Sequence, residues 1–180
     1  VGQCDNIKKI TDKAKKLGAT SAEAAMSSTS GLSVTTRLGE VETIEFNQDG
    51  VLGISVYVGN KKGSASTADL SSKALDLVVK KAIEIAKYTS EDPFNGLADK
   101  ELLEFSPVDL DLYHPWQVSP EQGIEFCKQA EEAALNSDPR IVNSDGASFA
   151  SHQGLRVYGN SHGLIAGFPR TRHSLSCMVI

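Results

Sequence analysis

The residues of this 180-residue chain best suited to chemistry are its four histidines, His114, His152, His162 and His173. The last three fall within one strand-rich stretch, and imidazoles from adjacent strands can converge on a metal ion. No two histidines stand at i, i+4, the spacing by which one helix supplies a pair of zinc ligands. Odd and even positions of a strand point to opposite faces, and turns intervene, so the spacing favours separate surface or hydrogen-bonded histidines. A second group is basic and polar. Gly159-Asn160-Ser161-His162-Gly163 has turn composition, and the strand after it carries Arg170, Arg172 and His173. Asn160, His162, Arg170, Arg172 and His173 are therefore the candidate substrate-binding residues, able at a cleft rim to hold a peptide carboxylate or an acidic side chain. Glu40, Glu42 and Glu45 crowd one short strand. Alternation splits them between faces, so they read as a solvated charged surface. Cys127 has no histidine at helical spacing and reads as a small core residue. There is no P-loop, no GxGxxG after a strand, no GxSxG elbow and no HExxH. No catalytic residue and no metal ligand is assigned.

The elements that must position these groups begin with a helix from Asp5 to Leu17, where Ile7, Ile10, Ala14 and Leu17 form one apolar stripe. Asp5 is placed to cap it, and Gly18 to close it in the left-handed region. Its five lysines (Lys8, Lys9, Lys13, Lys15 and Lys16) read as a solvated face. A small-residue strand, Ser21 to Ser30, follows. From Gly31 to Thr67 three turn signals, Leu38-Gly39-Glu40, Asp49-Gly50 and Gly59-Asn60-Lys61-Lys62-Gly63, divide four strand-like runs into an antiparallel meander. Ser71 to Tyr88 is the longest helix, capped by Asp69 or Ser71, with Leu75, Val78, Val79, Ala82, Ile83 and Ala86 on its buried face. The Pro-containing stretch 89–118 reads as a linker whose Leu102, Leu103, Phe105, Leu110, Leu112 and Trp116 pack over the domain surface. Ser119-Pro120-Glu121-Gln122 is a capping box with proline in the first turn, opening a helix that ends near Asn136, a left-handed cap candidate.

Residues 21–34 lie over residues 144–157 without a gap, with six of the 14 pairs identical. Each copy follows a helix and continues into hairpin-like strands, so Gly154 to Ile180 is expected to open a second, related sheet. The expected fold is α+β: two helix-plus-antiparallel-meander units joined by a long helix and linker. The divisions are 1–88, a packed linker 89–118, and 119–180.

Composition bounds the function. Hydrophobic residues make up 40% and charged residues 23%, as in a globular protein with a real core. A formal net charge of -5 without a basic stripe argues against a nucleic-acid surface. No apolar run approaches the roughly 18 residues of a membrane span, and residues 1–17 are not a signal sequence. Cys4, Cys127 and Cys177 are odd in number and scattered, which suits free thiols in a reducing compartment. The expected localisation is cytoplasmic. The chain opens on Val1 and closes inside an apolar strand, so it is expected to be the front part of something longer.

Thr36-Arg-Leu-Gly-Glu-Val41, Glu45-Phe-Asn-Gln-Asp-Gly50, Leu52-Gly-Ile-Ser-Val-Tyr57, Lys62-Gly-Ser-Ala-Ser66, Asp99-Lys-Glu-Leu-Leu103, Asp109-Leu-Asp-Leu112, Gly159-Asn-Ser-His-Gly163 and Thr171-Arg-His-Ser-Leu-Ser176 together carry a resemblance. They resemble, in order and across nearly the whole chain, the N-terminal region of the PmbA (TldE) branch of the TldD/PmbA family, labelled modulators of DNA gyrase and related to metalloproteases. The resemblance implies a cytoplasmic proteolytic system acting on peptides or unfolded chains. It implies a dimer with a PmbA- or TldD-type partner subunit, either a copy of itself or a different chain, that in the mixed case encloses a chamber. The family's zinc motif, HExxxH with a later Cys, belongs to TldD subunits and lies in their C-terminal half. Nothing here matches it, so no cofactor is expected in this chain, and zinc is expected only in a TldD-type partner. The resemblance thus implies a non-catalytic region that supports a C-terminal domain. A stand-alone module regulating a topoisomerase, and a small hydrolase holding a metal on His152, His162 and His173, are the less favoured readings.

Overall fold

A computed structural model describes residues 2–180. Its elements run α1 (Gly2–Lys16), β1 (Ser21–Arg37), β2 (Glu40–Val58), β3 (Lys61–Thr67), α2 (Ser72–Tyr88), a single 3₁₀ turn (Lys100–Leu102), α3 (Pro120–Leu135), β4 (Ser144–Asn160) and β5 (Ile165–Val179). The class is α+β, as expected. The strands form one antiparallel sheet in the order β3-β2-β1-β4-β5, not two related sheets. The two repeat copies are its neighbouring strands: β1 and β4 pair with each other. Ser161 N–H donates to Ala22 O at 2.8 Å near one end of the pair, and Gly146 packs on Thr36 O near the other.

Two compact units divide the chain. The first comprises the residues up to Ser28, Gly50–Leu110 and Leu155–Phe168; the second comprises Thr29–Asp49, Asp111–Gly154 and Pro169–Ile180. In the first unit α1 and α2 bury Ile7, Ile10, Ala14, Leu75, Val78, Val79, Ala82, Ile83 and Ala86 against Ala22, Ala24 and Met26 of β1 and Leu52, Ile54 and Val56 of β2. The alternate positions of each strand reach the same core because side chains switch face at every residue. Gly63 of β3 meets α2 so closely that a Cβ there would lie 2.0 Å from Ala82 O. The second unit has a smaller core of Leu32, Val34, Cys127, Ala147 and Phe149, with Val118, Ile124, Phe126 and Cys177 partly buried against it.

Several local expectations need correction. Asp49-Gly50 is not a turn: β2 runs straight through it, and Gly50 is not among the positive-φ residues. Instead β2 passes there from the second unit to the first. The Ser21–Ser30 strand likewise continues past Gly31 to Arg37. At Gly31 the close neighbour is β4, because a Cβ would lie 2.3 Å from Ser151 O and 2.8 Å from His152 Cα. Asp5 lies inside α1, in its first turn, where its charge still complements the helix dipole. Asn136 ends α3 in the right-handed region (φ -84°), and Ser137 closes the helix by donating to Ala134 O at 2.7 Å. Within the 31–67 stretch the hairpin turns are Leu38-Gly39, both at positive φ, and the one at Gly59. The Ser71 cap and the Ser119–Gln122 capping box form as expected. In the stretch 89–118, Phe94 (94% exposed), Leu102 (77%) and Leu110 (63%) face solvent, whereas Trp116 packs on three rings.

Candidate functional site

The second unit contains a cavity of about 900 Å³. Segment 111–118 builds one wall. Asp111 takes a left-handed turn (φ 50°), after which the chain lies along β5. Thr171 N–H donates to Leu112 O at 2.9 Å, and His114 N–H donates to Thr171 Oγ1 at 2.9 Å. These bonds carry Trp116 onto an aromatic cluster. Its ring lies 5.5 Å from Phe126, 5.8 Å from Phe149 and 5.4 Å from His173, the last two edge to face. Such offsets suit the ring quadrupoles, and they fix the indole while leaving it 48% exposed.

His173 is held from both ring nitrogens. Its Nε2 lies 3.1 Å from His114 O and its Nδ1 2.9 Å from Ser151 Oγ. A carbonyl only accepts, so Nε2 carries the proton, and in the neutral ring Nδ1 accepts from the Ser151 hydroxyl. Tyr113 O–H donates to Gln153 Oε1 at 3.2 Å, and Gln122 Oε1 accepts from Ser119 N–H in the capping box. Asn47, Gln48 and Gln117 also line the cavity. Among the described residues no Asp, Glu, Lys or Arg does, and His152 and His173 are its two imidazoles.

Of the five residues singled out from the sequence, Asn160 and His162 belong to the first unit and Arg170, Arg172 and His173 to the second. Asn160 is 4% exposed, and its side chain is used in the turn. Its Oδ1 accepts from His162 N–H at 3.0 Å, and its Nδ2 donates to Tyr158 Oη at 3.4 Å. Arg170 and Arg172 are exposed on β5 and, by strand alternation, lie on the side away from Thr171 and His173. His173 alone of the five lines the cavity. His152 joins it there, while His162 is in the first unit. Glu40, Glu42 and Glu45 are all exposed. Cys127 is fully buried in the core, and burial pushes its thiol pKa up. Among the described residues no three of His, Cys, Asp and Glu come together, and both nitrogens of His173 are already engaged. These donors do not fit a zinc ion.

Two carboxylates escaped the sequence reading. Glu131 is 2% exposed and receives the Ser144 hydroxyl and the N–H groups of Leu38 and Gly39, each N–H at 2.9 Å, so α3 grips the β1–β2 hairpin. Burial raises its pKa, but the bonds from Ser144, Leu38 and Gly39 and the charge of Arg37 outweigh that and leave it below the ordinary value. The signal was present: Glu131 falls on the helix stripe of Ile124, Cys127 and Ala134. In the first unit Glu23 accepts the hydroxyls of Tyr57 and Tyr158, each at 2.9 Å. Burial, together with the hydrogen bond and charge of Glu23, pushes Tyr57 up to about 12.

The long strands and the helices packed on them define an α+β chain built from two units, one holding a neutral, aromatic-walled cavity. Its class among known proteins is that of a metallopeptidase family's front domains. Residues 22–86 match the model of the PmbA/TldA metallopeptidase domain 1, and residues 113–180 match the central domain of the same family. The chain belongs to the PmbA/TldD family. It is 58% identical over 159 residues to the metalloprotease PmbA of Escherichia coli O157:H7, covering 88% of this chain and 35% of that protein. It is 54% identical over 167 residues to a PmbA homologue of Haemophilus influenzae, covering 93% and 37%. The chain thus spans little more than a third of the length of these curated relatives. A crystal structure from Bacteroides thetaiotaomicron, described as that of a modulator of DNA gyrase, superposes with a TM-score of 0.86 at 28% identity, covering 97% of this chain and 40% of that one. TldE from Thermococcus kodakarensis shares the fold, with a TM-score of 0.73 at 15% identity over 97% of this chain and 39% of that one.

Proposed function

We propose that this chain is the non-catalytic N-terminal region of a PmbA/TldE-type subunit in a cytoplasmic metalloprotease system acting on peptides or unfolded proteins. The observation that carries the reading is the match of its two parts to the first and central domains of one metallopeptidase family. In this reading hydrolysis takes place in a TldD-type partner subunit, where the zinc belongs. The chain itself shapes the chamber and presents substrate through its neutral cavity. Arg170 and Arg172, exposed on the other side of β5, are available to a carboxylate there. The reading is tested by incubating unfolded casein with the purified chain, with and without zinc, alone and with a full-length TldD-type subunit. The chain alone is expected to cleave nothing and to co-elute with the partner subunit in size-exclusion chromatography. Zinc-dependent cleavage by the chain alone, abolished by a chelator, would overturn the assignment.

A further inference from the structure

We infer that the cavity of the second unit is a binding site for an extended, uncharged peptide segment carrying an aromatic side chain. The inference rests on the peptide-handling role proposed above and assigns that role to a place and a specificity. The cavity, at about 900 Å³, has the size of a built ligand site. One wall is the Trp116 indole, pinned by Phe149 and His173 and half-exposed, a fixed apolar face onto which a second ring can stack. Phe46, 73% exposed, stands in the lining as a second ring with little of its surface covered.

The polar part of the lining selects for peptide backbone. Asn47, Gln48 and Gln117 are lining residues, and the amide of each has two donors and an acceptor, the groups a peptide N–H and C=O require. Asn47 and Gln48 lie on β2, whose pairing with β3 covers only Leu52 to Val58. The outer main-chain groups of β2 around Phe46 therefore have no strand partner among the described residues, and an extended chain can use them. With no Asp, Glu, Lys or Arg in the lining, a charged side chain entering the cavity loses water and meets no permanently charged partner. That excludes acidic and basic segments and favours neutral ones.

Trp116 is the chain's single tryptophan, so its fluorescence reports on this site alone. The probes are acetylated, amidated hexapeptides of Ser, Gln and Gly with one central Phe, and matched peptides with Ala for Phe or with Glu or Lys beside it. The Phe peptide is expected to shift Trp116 emission saturably, and each replacement to weaken binding by at least about tenfold. Phe46→Ser and Gln48→Leu, both at exposed positions, should each weaken the Phe peptide without altering the unfolding midpoint. Fluorescence anisotropy of a labelled Phe peptide gives the same comparison independently of Trp116. Absence of a saturable change with every peptide, or equal binding of the neutral and charged ones, would overturn the inference. Casein cleavage by the paired subunits without peptide binding here would remove this site and leave the proposed function in place. Binding here without cleavage would do the reverse.

Discussion

Replacing Glu131 by Ala removes the acceptor for three donors at once. The Leu38 and Gly39 N–H groups and the Ser144 hydroxyl all converge on its carboxylate. Hydrogen bonds to a charged group contribute about 1.5–3 kcal/mol each when the partner is deleted. The sum overstates the loss, because Leu38 is 58% exposed at a hairpin tip and its N–H can be rehydrated. The Ser144 hydroxyl, in a fully buried residue, cannot rehydrate in place. A net destabilisation of about 3 kcal/mol is expected, a large part of the ~5–15 kcal/mol available to a domain. Urea unfolding followed by circular dichroism measures it as a lowered midpoint at unchanged slope. Glu132→Ala is the control: its neighbour is exposed, and the change should stay within about 0.5 kcal/mol. Glu131→Gln keeps the shape but turns an NH₂ group toward one donor, and should cost about 2 kcal/mol. The pH dependence has a definite sign. The folded carboxyl sits below its ordinary value of 4.5, so its stabilisation is complete above that value and is lost as pH falls through the lower folded value. The stability gap between wild type and Glu131→Gln should therefore be constant near neutrality and shrink in acid. A Glu131→Ala chain as stable as Glu132→Ala, or a gap that widens on acidification, would refute the clamp.

Gly31→Ala places a Cβ 2.3 Å from Ser151 O, a backbone atom that cannot step aside, and should destabilise by about 1–3 kcal/mol in the same urea assay. Tyr57→Phe leaves Glu23 with Tyr158 alone and should cost about 1 kcal/mol. In the wild type Tyr57 should ionise only near pH 12 in an absorbance titration at alkaline pH. Because its folded value is raised, the stability it contributes is complete below the ordinary value of 10.0 and is lost as pH rises toward about 12. Of the three thiols, Cys127 should resist a water-soluble thiol reagent in the native state and react only in urea, because it is fully buried; Cys4 and Cys177, partly accessible, should react first.

The helices were legible because their information is local. The apolar face of α2 from Leu75 to Ala86, the Ser119 capping box and the Gly18 stop are each written within a few residues of where they act. The strands misled for a physical reason. Gly31, Gly50 and Gly154 read as punctuation, yet they sit inside 17- to 19-residue strands close to the points where those strands pass from one unit to the other. A glycine can serve a close approach of two backbones as well as a turn, and only the third dimension distinguishes the two uses. Glu131 stood in view on an apolar helix stripe, but its donors lie more than 90 residues earlier, at a turn, and one strand start later. The aromatic cavity was out of reach for the same reason: Trp116 meets rings from α3, β4 and β5 that no local pattern links to it.

The internal repeat connects these points. β1 and β4 are both 17 residues long, both start at a serine (Ser21 and Ser144), and both follow a helix, so the gap-free alignment starts where the strands start and its offset brings their ends together as well. Given one plan used twice, the differences between copies locate specialisation. Met26 of the first copy aligns with Phe149 of the second, and each is buried in its own unit's core. Met is a flexible filler, whereas Phe presents a flat edge, and it is on Phe149 that Trp116 rests at 5.8 Å. Glu23 aligns with Gly146, so the carboxylate that ties two tyrosines in the first unit has no counterpart in the second. There Gly146 packs directly on Thr36 O. The second copy has thus exchanged a polar tie for an aromatic support. Phe149→Met, which restores the first copy's residue with little loss of volume, should cost less than about 1.5 kcal/mol of stability. It should nonetheless loosen Trp116, read as a lower anisotropy of its emission. A stability loss of that size with an unchanged Trp116 signal would mean that the indole is held by Phe126 and His173 without help from Phe149.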